Sequence, residues 1–160
     1  MIRDCRADDA EAICAIYNPY VRETVITFEE KPVAVEEMAR RIRALTEGLP
    51  WLVWEADGTV LGYAYAAPWR ERSAYRYSAE STIYIDPRHT GCGIGTGLYE
   101  ALLHELRRGP THCVIGAIAL PNPESIALHE KVGFEKLGEL KQLGFKLHRW
   151  IDVGYWQLVL

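Results

Sequence analysis

The chain has 160 residues, 49% apolar and 25% charged, which is one domain's length with apolar content for an ordinary core and excludes a disordered chain. Eighteen basic against 22 acidic residues leave a net charge of −4, the wrong sign for a nucleic-acid binder. The longest apolar runs, such as residues 113–120, fall far short of the ~20 residues a membrane span needs, so no membrane partner is expected.

The opening residues 1–13 lack the basic-then-apolar layout of a secretory signal, and a cytoplasmic protein is expected. Cys5, Cys14, Cys92 and Cys113 show no C-x-x-C spacing and read as reduced thiols. His129-Glu130 lacks the second histidine of a zinc helix, and no metal is expected.

Residues 2–5 predict a short strand. Residues 7–23 predict a helix, with acids in the first turn and Ile13, Ile16, Tyr17 and Tyr20 on one face. Residues 24–30 read as extended, and 34–48 as a second helix stopped by Gly48. Residues 51–69 read as a hairpin turning at Asp57-Gly58, and 75–86 as a strand halted at Asp86-Pro87. A third helix carries Ile94, Leu98, Ala101, Leu102 and Leu106 at helical spacing. Residues 112–120 are apolar enough for a central strand. Residues 122–134 form a fourth helix capped by Asn122, with Pro123 first and Gly133 at its end. The tail, 144–160, is strand-rich. The expected fold is α/β of the α+β kind: one domain, 1–160, with helices interrupting a largely antiparallel sheet.

Four glycines, Gly91, Gly93, Gly95 and Gly97, alternate where the third helix begins. No Gly-Lys follows, so the loop is not a nucleoside-triphosphate cradle. The third glycine of G-x-G-x-x-G is missing in both registers, and no acid near residue 113 is placed to hold a ribose. What remains is Arg88-x-x-Gly91-x-Gly93 between a strand and a helix. There a series of main-chain N–H groups suits a pyrophosphate.

Along 79–85 the odd positions are Ala, Ser, Ile and Ile, a core face; the even ones are Glu80, Thr82 and Tyr84, a polar face. Glu80 is therefore either a solvated edge carboxylate or one that points into a cleft. Arg70 and Arg72 share a face if the chain there is extended, and together suit a carboxylate or phosphinate.

The 88–93 pattern, followed about 30 residues on by "NPESIALHEKVGF", resembles the GCN5-related N-acetyltransferases (GNAT). "TFEEKP", "PWRERSAY", "AESTIYIDPRHTGCGIG" and "GFKLHRWIDVGYWQL" resemble the phosphinothricin N-acetyltransferase branch, so the resemblance covers most of the chain. It implies a GNAT fold, a mixed, mostly antiparallel sheet flanked by about four helices, with acetyl-CoA as cosubstrate. It also implies a homodimer, for which aromatic-rich 154–160 offers apolar surface. Glu80 is the implied general base, accepting the amine proton directly or through one water. Main-chain N–H groups around Tyr84 and Ile85 are the expected oxyanion donors. His129 stands where many superfamily members have Tyr, to protonate the departing thiolate or to orient the thioester.

The implied cosubstrate contacts are Ile83, Tyr84, Ile85, Arg88, Gly91, Cys92, Gly93, Ile94, Gly95, Thr96, Asn122, Ser125 and His129. The implied acceptor contacts are Phe28, Glu29, Arg70, Arg72, Tyr75, Thr82 and Val153, with Arg70 standing where the branch often has Lys. The implied reaction is direct acetylation, in a ternary complex, of the α-amino group of phosphinothricin, methionine sulfoximine, methionine sulfone or a similar small amino acid. A peptide N-terminus as acceptor and a non-catalytic CoA-binding module are the alternatives.

Overall fold

Two separate apolar layers sandwich one seven-stranded sheet. The computed structural model describes all 160 residues. In chain order the elements are β1 (Ile2–Asp4), α1 (Ala10–Glu23), α2 (Val35–Thr46), β2 (Trp51–Ala56), β3 (Thr59–Pro68) and β4 (Ser78–Ile85). There follow α3 (Ile94–Arg108), β5 (Cys113–Ala119), α4 (Pro123–Lys131), β6 (Glu135–Lys146) and β7 (Arg149–Val159). The strand order is β1-β2-β3-β4-β5-β7-β6. Every neighbouring pair is antiparallel except β4–β5. The expected mixed, mostly antiparallel sheet with four helices is the observed one.

Helical spacing decides which helix covers which face. Ile13, Ile16, Tyr17 and Val21 of α1 and Met38 and Ile42 of α2 pack with Trp51, Val53 and Tyr63 of the sheet. On the opposite face, Leu98, Leu102 and Leu106 of α3 are at most 2% exposed and pack with Leu52, Ala64, Val114 and Trp156. Each such leucine contributes about 1.5–3 kcal/mol on removal from water.

Local chemistry sets the boundaries. Asp57 (φ 49°) and Gly58 (φ 74°) both take the left-handed conformation that a two-residue hairpin turn requires. The Asn122 side chain accepts the Ser125 N–H at 3.2 Å, Pro123 opens α4, and Gly133 (φ 100°) follows its end. Three expectations change. Residues 7–9 form a separate 3-10 turn ahead of α1. Residues 24–34 lie outside helix and strand apart from bends, and their ties are side-chain bonds instead of a ladder. β6 begins at Glu135, well before the predicted strand-rich tail, because it pairs with β7 through two register shifts.

The feature that positions the site is the β4–β5 pair. It holds over only three positions, Ser78↔Cys113, Ala79↔Val114 and Glu80↔Ile115. Beyond Glu80 the strands part. β4 remains paired to β3, while β5 remains paired to β7 up to Ala119↔Val153.

Candidate active site

The fork between β4 and β5 opens a cleft of about 230 Å³. Into it face Glu80, Thr82 and Tyr84 from β4, Ala117 and Ala119 from β5, Val153 from β7, and Asn122, Ser125 and His129 from the α4 region. Thr27 and Phe28 supply a wall from the 24–34 loop. Ser81 and Ile83 of the expected core face also border the cleft, Tyr84 of the expected polar face packs on the α1-side core, and Glu80 is a cleft carboxylate at the last paired position. Burial raises its pKa, while Arg70 nearby opposes the rise.

Ladder geometry identifies the free amides. The Asp86 N–H donates to the Leu61 carbonyl at 2.8 Å, and the Trp69 N–H donates to the Ser78 carbonyl at 3.2 Å. Even-numbered residues of β4 therefore turn their main-chain groups to β3, and odd-numbered ones turn theirs away. The expected pair of donors is corrected on this ground. The Tyr84 N–H belongs to the β3 ladder, whereas those of Ile83 and Ile85 face the fork. The Ile85 carbonyl on that edge accepts the Tyr20 hydroxyl at 2.7 Å. The Tyr84 ring is largely structural, packed against Tyr17 and Tyr20 with centroids 4.9 and 5.2 Å away.

His129 is 4% exposed and held at both ring nitrogens. Nδ1 donates to the Ser125 carbonyl at 2.7 Å, a bond only a protonated nitrogen makes. Nε2 lies 2.7 Å from the Tyr99 hydroxyl, which lies 2.9 Å from the Ser81 hydroxyl. Burial lowers the His129 pKa, and in the neutral ring with the proton on Nδ1 the Nε2 atom accepts from Tyr99. Thus placed, the Nε2 side of His129 is engaged by the Tyr99 hydroxyl. Of its two expected roles, orienting the thioester is the one this hydrogen-bonded placement favours. Gly116 makes the arrangement sterically feasible, because a Cβ there would lie 2.6 Å from the His129 ring.

The glycine turn divides into two kinds of residue. Gly91 (φ 76°) and Gly93 (φ 82°) are left-handed and border open space, and Gly93 caps α3. Gly95 and Gly97 are packing residues inside α3, their hypothetical Cβ atoms 3.1 Å from Leu128 and 2.7 Å from Trp54. The Ile94 side chain is core, only 4% exposed, so a ligand reaches this residue through its backbone. Cys92 is exposed. The Thr96 hydroxyl accepts from Lys131 Nζ at 3.3 Å. The Arg88 side chain is 82% exposed and paired to Asp86 at 2.7 Å, which holds the Asp86 carboxyl down at about 2. Open glycines, a helix N-terminus, exposed cations and a free strand edge together fit a diphosphate on an extended arm.

Four expected acceptor residues lie outside the cleft lining. Arg70, Arg72 and Tyr75 occupy a bent connection ending in a 3-10 turn, Ser73–Tyr75, so strand alternation does not put the arginines on one face. Arg70 stacks on Trp69 at 5.1 Å. The Glu29 carboxylate is taken by Arg41 at 2.8 and 3.0 Å and by the Tyr17 hydroxyl at 2.6 Å. Sequence reasoning missed Tyr99, Thr27 and Lys131. Tyr99 sits on the buried stripe of α3, a signal that marks it as core and leaves its hydroxyl's partner unspecified.

A sheet forked beside a glycine turn, with a carboxylate at the fork, defines an acyl-transfer class of α/β protein. The sequence matches the acetyltransferase (GNAT) domain family over residues 2–154. It is 39% identical to the phosphinothricin N-acetyltransferase of Streptomyces viridochromogenes, over 98% of this chain and 85% of that protein. It is 35% identical to the L-methionine sulfoximine/L-methionine sulfone acetyltransferase of Salmonella typhimurium, over 99% of this chain and 94% of that protein. The crystal structure of a phosphinothricin acetyltransferase from Sinorhizobium meliloti in complex with AcCoA matches with a TM-score of 0.96 and 40% identity, covering 100% of this chain and 88% of that one. The chain belongs to the GNAT family of N-acetyltransferases.

Proposed function

We propose that residues 1–160 act as one domain that transfers acetyl from acetyl-CoA to the α-amino group of a small amino acid such as phosphinothricin, methionine sulfoximine or methionine sulfone. The observation that carries this reading is Glu80, a half-buried carboxylate at the β4–β5 fork. The acceptors named for the relatives support the substrate class. Acetyl-CoA supplies an activated thioester carbonyl. Glu80 takes a proton from the acceptor's ammonium, directly or through one water. The neutral amine then attacks the carbonyl, forming the C–N bond as the C–S bond breaks and CoA leaves as thiolate to be protonated by solvent. The raised pKa of Glu80 brings it toward the working range of a base. Ile83 and Ile85 offer N–H donors along the fork, and the α3 N-terminus with Gly91, Gly93 and Arg88 holds the diphosphate. His129, locked by Tyr99 and Ser125, orients the thioester. Phe28, Thr82 and Val153 wall the acceptor, whose anionic end Arg70 and Arg72 attract. Glu29 braces the wall through Arg41. The carboxylate and amides suffice without a metal.

The protein is further proposed to be a cytoplasmic homodimer without nucleic-acid or membrane partners. Exposed Leu137, Leu140, Leu143 and Phe145 along the edge strand β6, with Trp150, offer the apolar contact surface. No helix is long and apolar enough to cross a membrane.

Release of CoA thiol, assayed against phosphinothricin, both methionine derivatives, common amino acids and peptides, tests the reaction. Release is expected fastest with the first three and undiminished by a chelator. Preference for peptide N-termini would replace the acceptor assignment; CoA binding with no release by any amine would leave a binding module and overturn the reading.

A further inference from the structure

Lys146, the last residue of β6, is 3% exposed although it carries an amino group. Lysines are rarely buried so fully without a partner. Its Nζ donates to the main-chain carbonyl of Thr27 at 2.6 Å, joining segments 119 residues apart. No ladder bond reaches residues 25–33, so this bond ties down a stretch of main chain that forms a cleft wall. The remaining anchors are side-chain bonds. Tyr17 holds the Thr27 hydroxyl at 2.6 Å, Arg41 holds Glu29, and Asn18 clasps Val33 at 2.8 and 3.0 Å.

The same stretch of β6 seats the neighbouring ring. A Cβ on Gly144 would overlap the ring of Phe28. Both contacts lie beyond the irregularity between Leu140 and Gly144, past which the end of β6 pairs with β7 in a further shifted register. Asp152 fixes that irregularity, accepting the Gln142 N–H at 2.8 Å and Lys141 Nζ at 3.1 Å.

We propose that Lys146 is a positioning residue for the acceptor: with Gly144 it fixes Thr27 and Phe28 as a rigid wall, so that acceptor affinity is set from the end of β6. The proposal rests on the reading of the cleft given above. Lys146→Met removes the donor while keeping an unbranched apolar stem, and Gly144→Ala displaces the ring independently. In each variant KM for the acceptor is measured apart from KM for acetyl-CoA, and amide hydrogen exchange is followed over residues 24–33. Loss of a bond from a charged donor raises acceptor KM about tenfold, with kcat and KM for acetyl-CoA within about twofold of the parent. Amides of 25–30 exchange faster while those of β2 and β3 keep their protection. Because the two substitutions disturb one wall, the double variant falls short of the product of the single effects. Unchanged acceptor KM in folded Lys146→Met, or both KM values rising together, would overturn the proposal. If the parent protein acetylates no amino acid, the functional reading fails, and exchange over 24–33 decides the strap alone: unaltered rates in Lys146→Met sink it.

Discussion

Glu80 and His129 share the cleft, and burial pushes each toward its neutral form, raising the acid and lowering the base. For Glu80 this has a stability consequence with a definite sign. A carboxyl whose pKa is higher folded than unfolded favours folding while protonated, and this contribution is lost as pH rises through the folded value. Glu80→Gln is therefore expected to lower turnover by about 10²–10⁴ and yet to raise the thermal midpoint at pH 8, a gain that shrinks as the pH falls toward 4.5. Thermal unfolding and CoA release across pH check both halves; full turnover in the variant would remove Glu80 from the reaction. Strand parity put Glu80 on the polar face but left it either solvated or in a cleft; the family resemblance, not the alternation, singled it out. Tyr99 was not legible in the sequence, because its hydroxyl's role depends on Ser81 and His129, 18 and 30 residues away.

Among the elements, α3 and α4 were legible to within a few residues. Their apolar spacing, the Asn122 cap and the glycine after α4 are local signals that tertiary packing did not override. The segment 24–34 was not, because its shape comes from Lys146, Arg41 and Asn18 on other elements; 69–77 was not, because it turns locally at Arg72 where strand alternation was assumed. The alternating glycines mislead for a related reason. They look like one motif and serve two purposes. Gly93→Ala forces a side chain into left-handed backbone, costing about 1–2 kcal/mol at the helix cap, and should raise KM for acetyl-CoA several-fold. Gly97→Ala meets the Trp54 ring, and overpacking there costs about 1–3 kcal/mol of stability with KM for acetyl-CoA unchanged. Paired kinetic and unfolding measurements separate the two; equal effects of both variants on KM would contradict this division.

On the scale of the whole molecule, the predicted contact surface moves. Residues 154–160 were expected to supply it; there Trp156 is buried and Val159 exposed, while a longer run of exposed apolar side chains lies along β6 at the sheet's edge. An edge strand of this kind is a template for association. Light scattering should give twice the 18.2 kDa chain mass, falling to one chain when Leu137 and Leu140 are both replaced by Lys. A parent protein of single-chain mass would refute the dimer. The fork carries one more consequence. The ladder between the two leaves of the sheet is three rungs long, and the Ile83 and Ile85 amides beyond them have no strand opposite. An extended arm lying there would act as a surrogate strand, stitching the leaves together as it binds. Acetyl-CoA at a hundredfold excess over its Kd should then add about 2.7 kcal/mol to the folded state, and slow exchange first at those two amides.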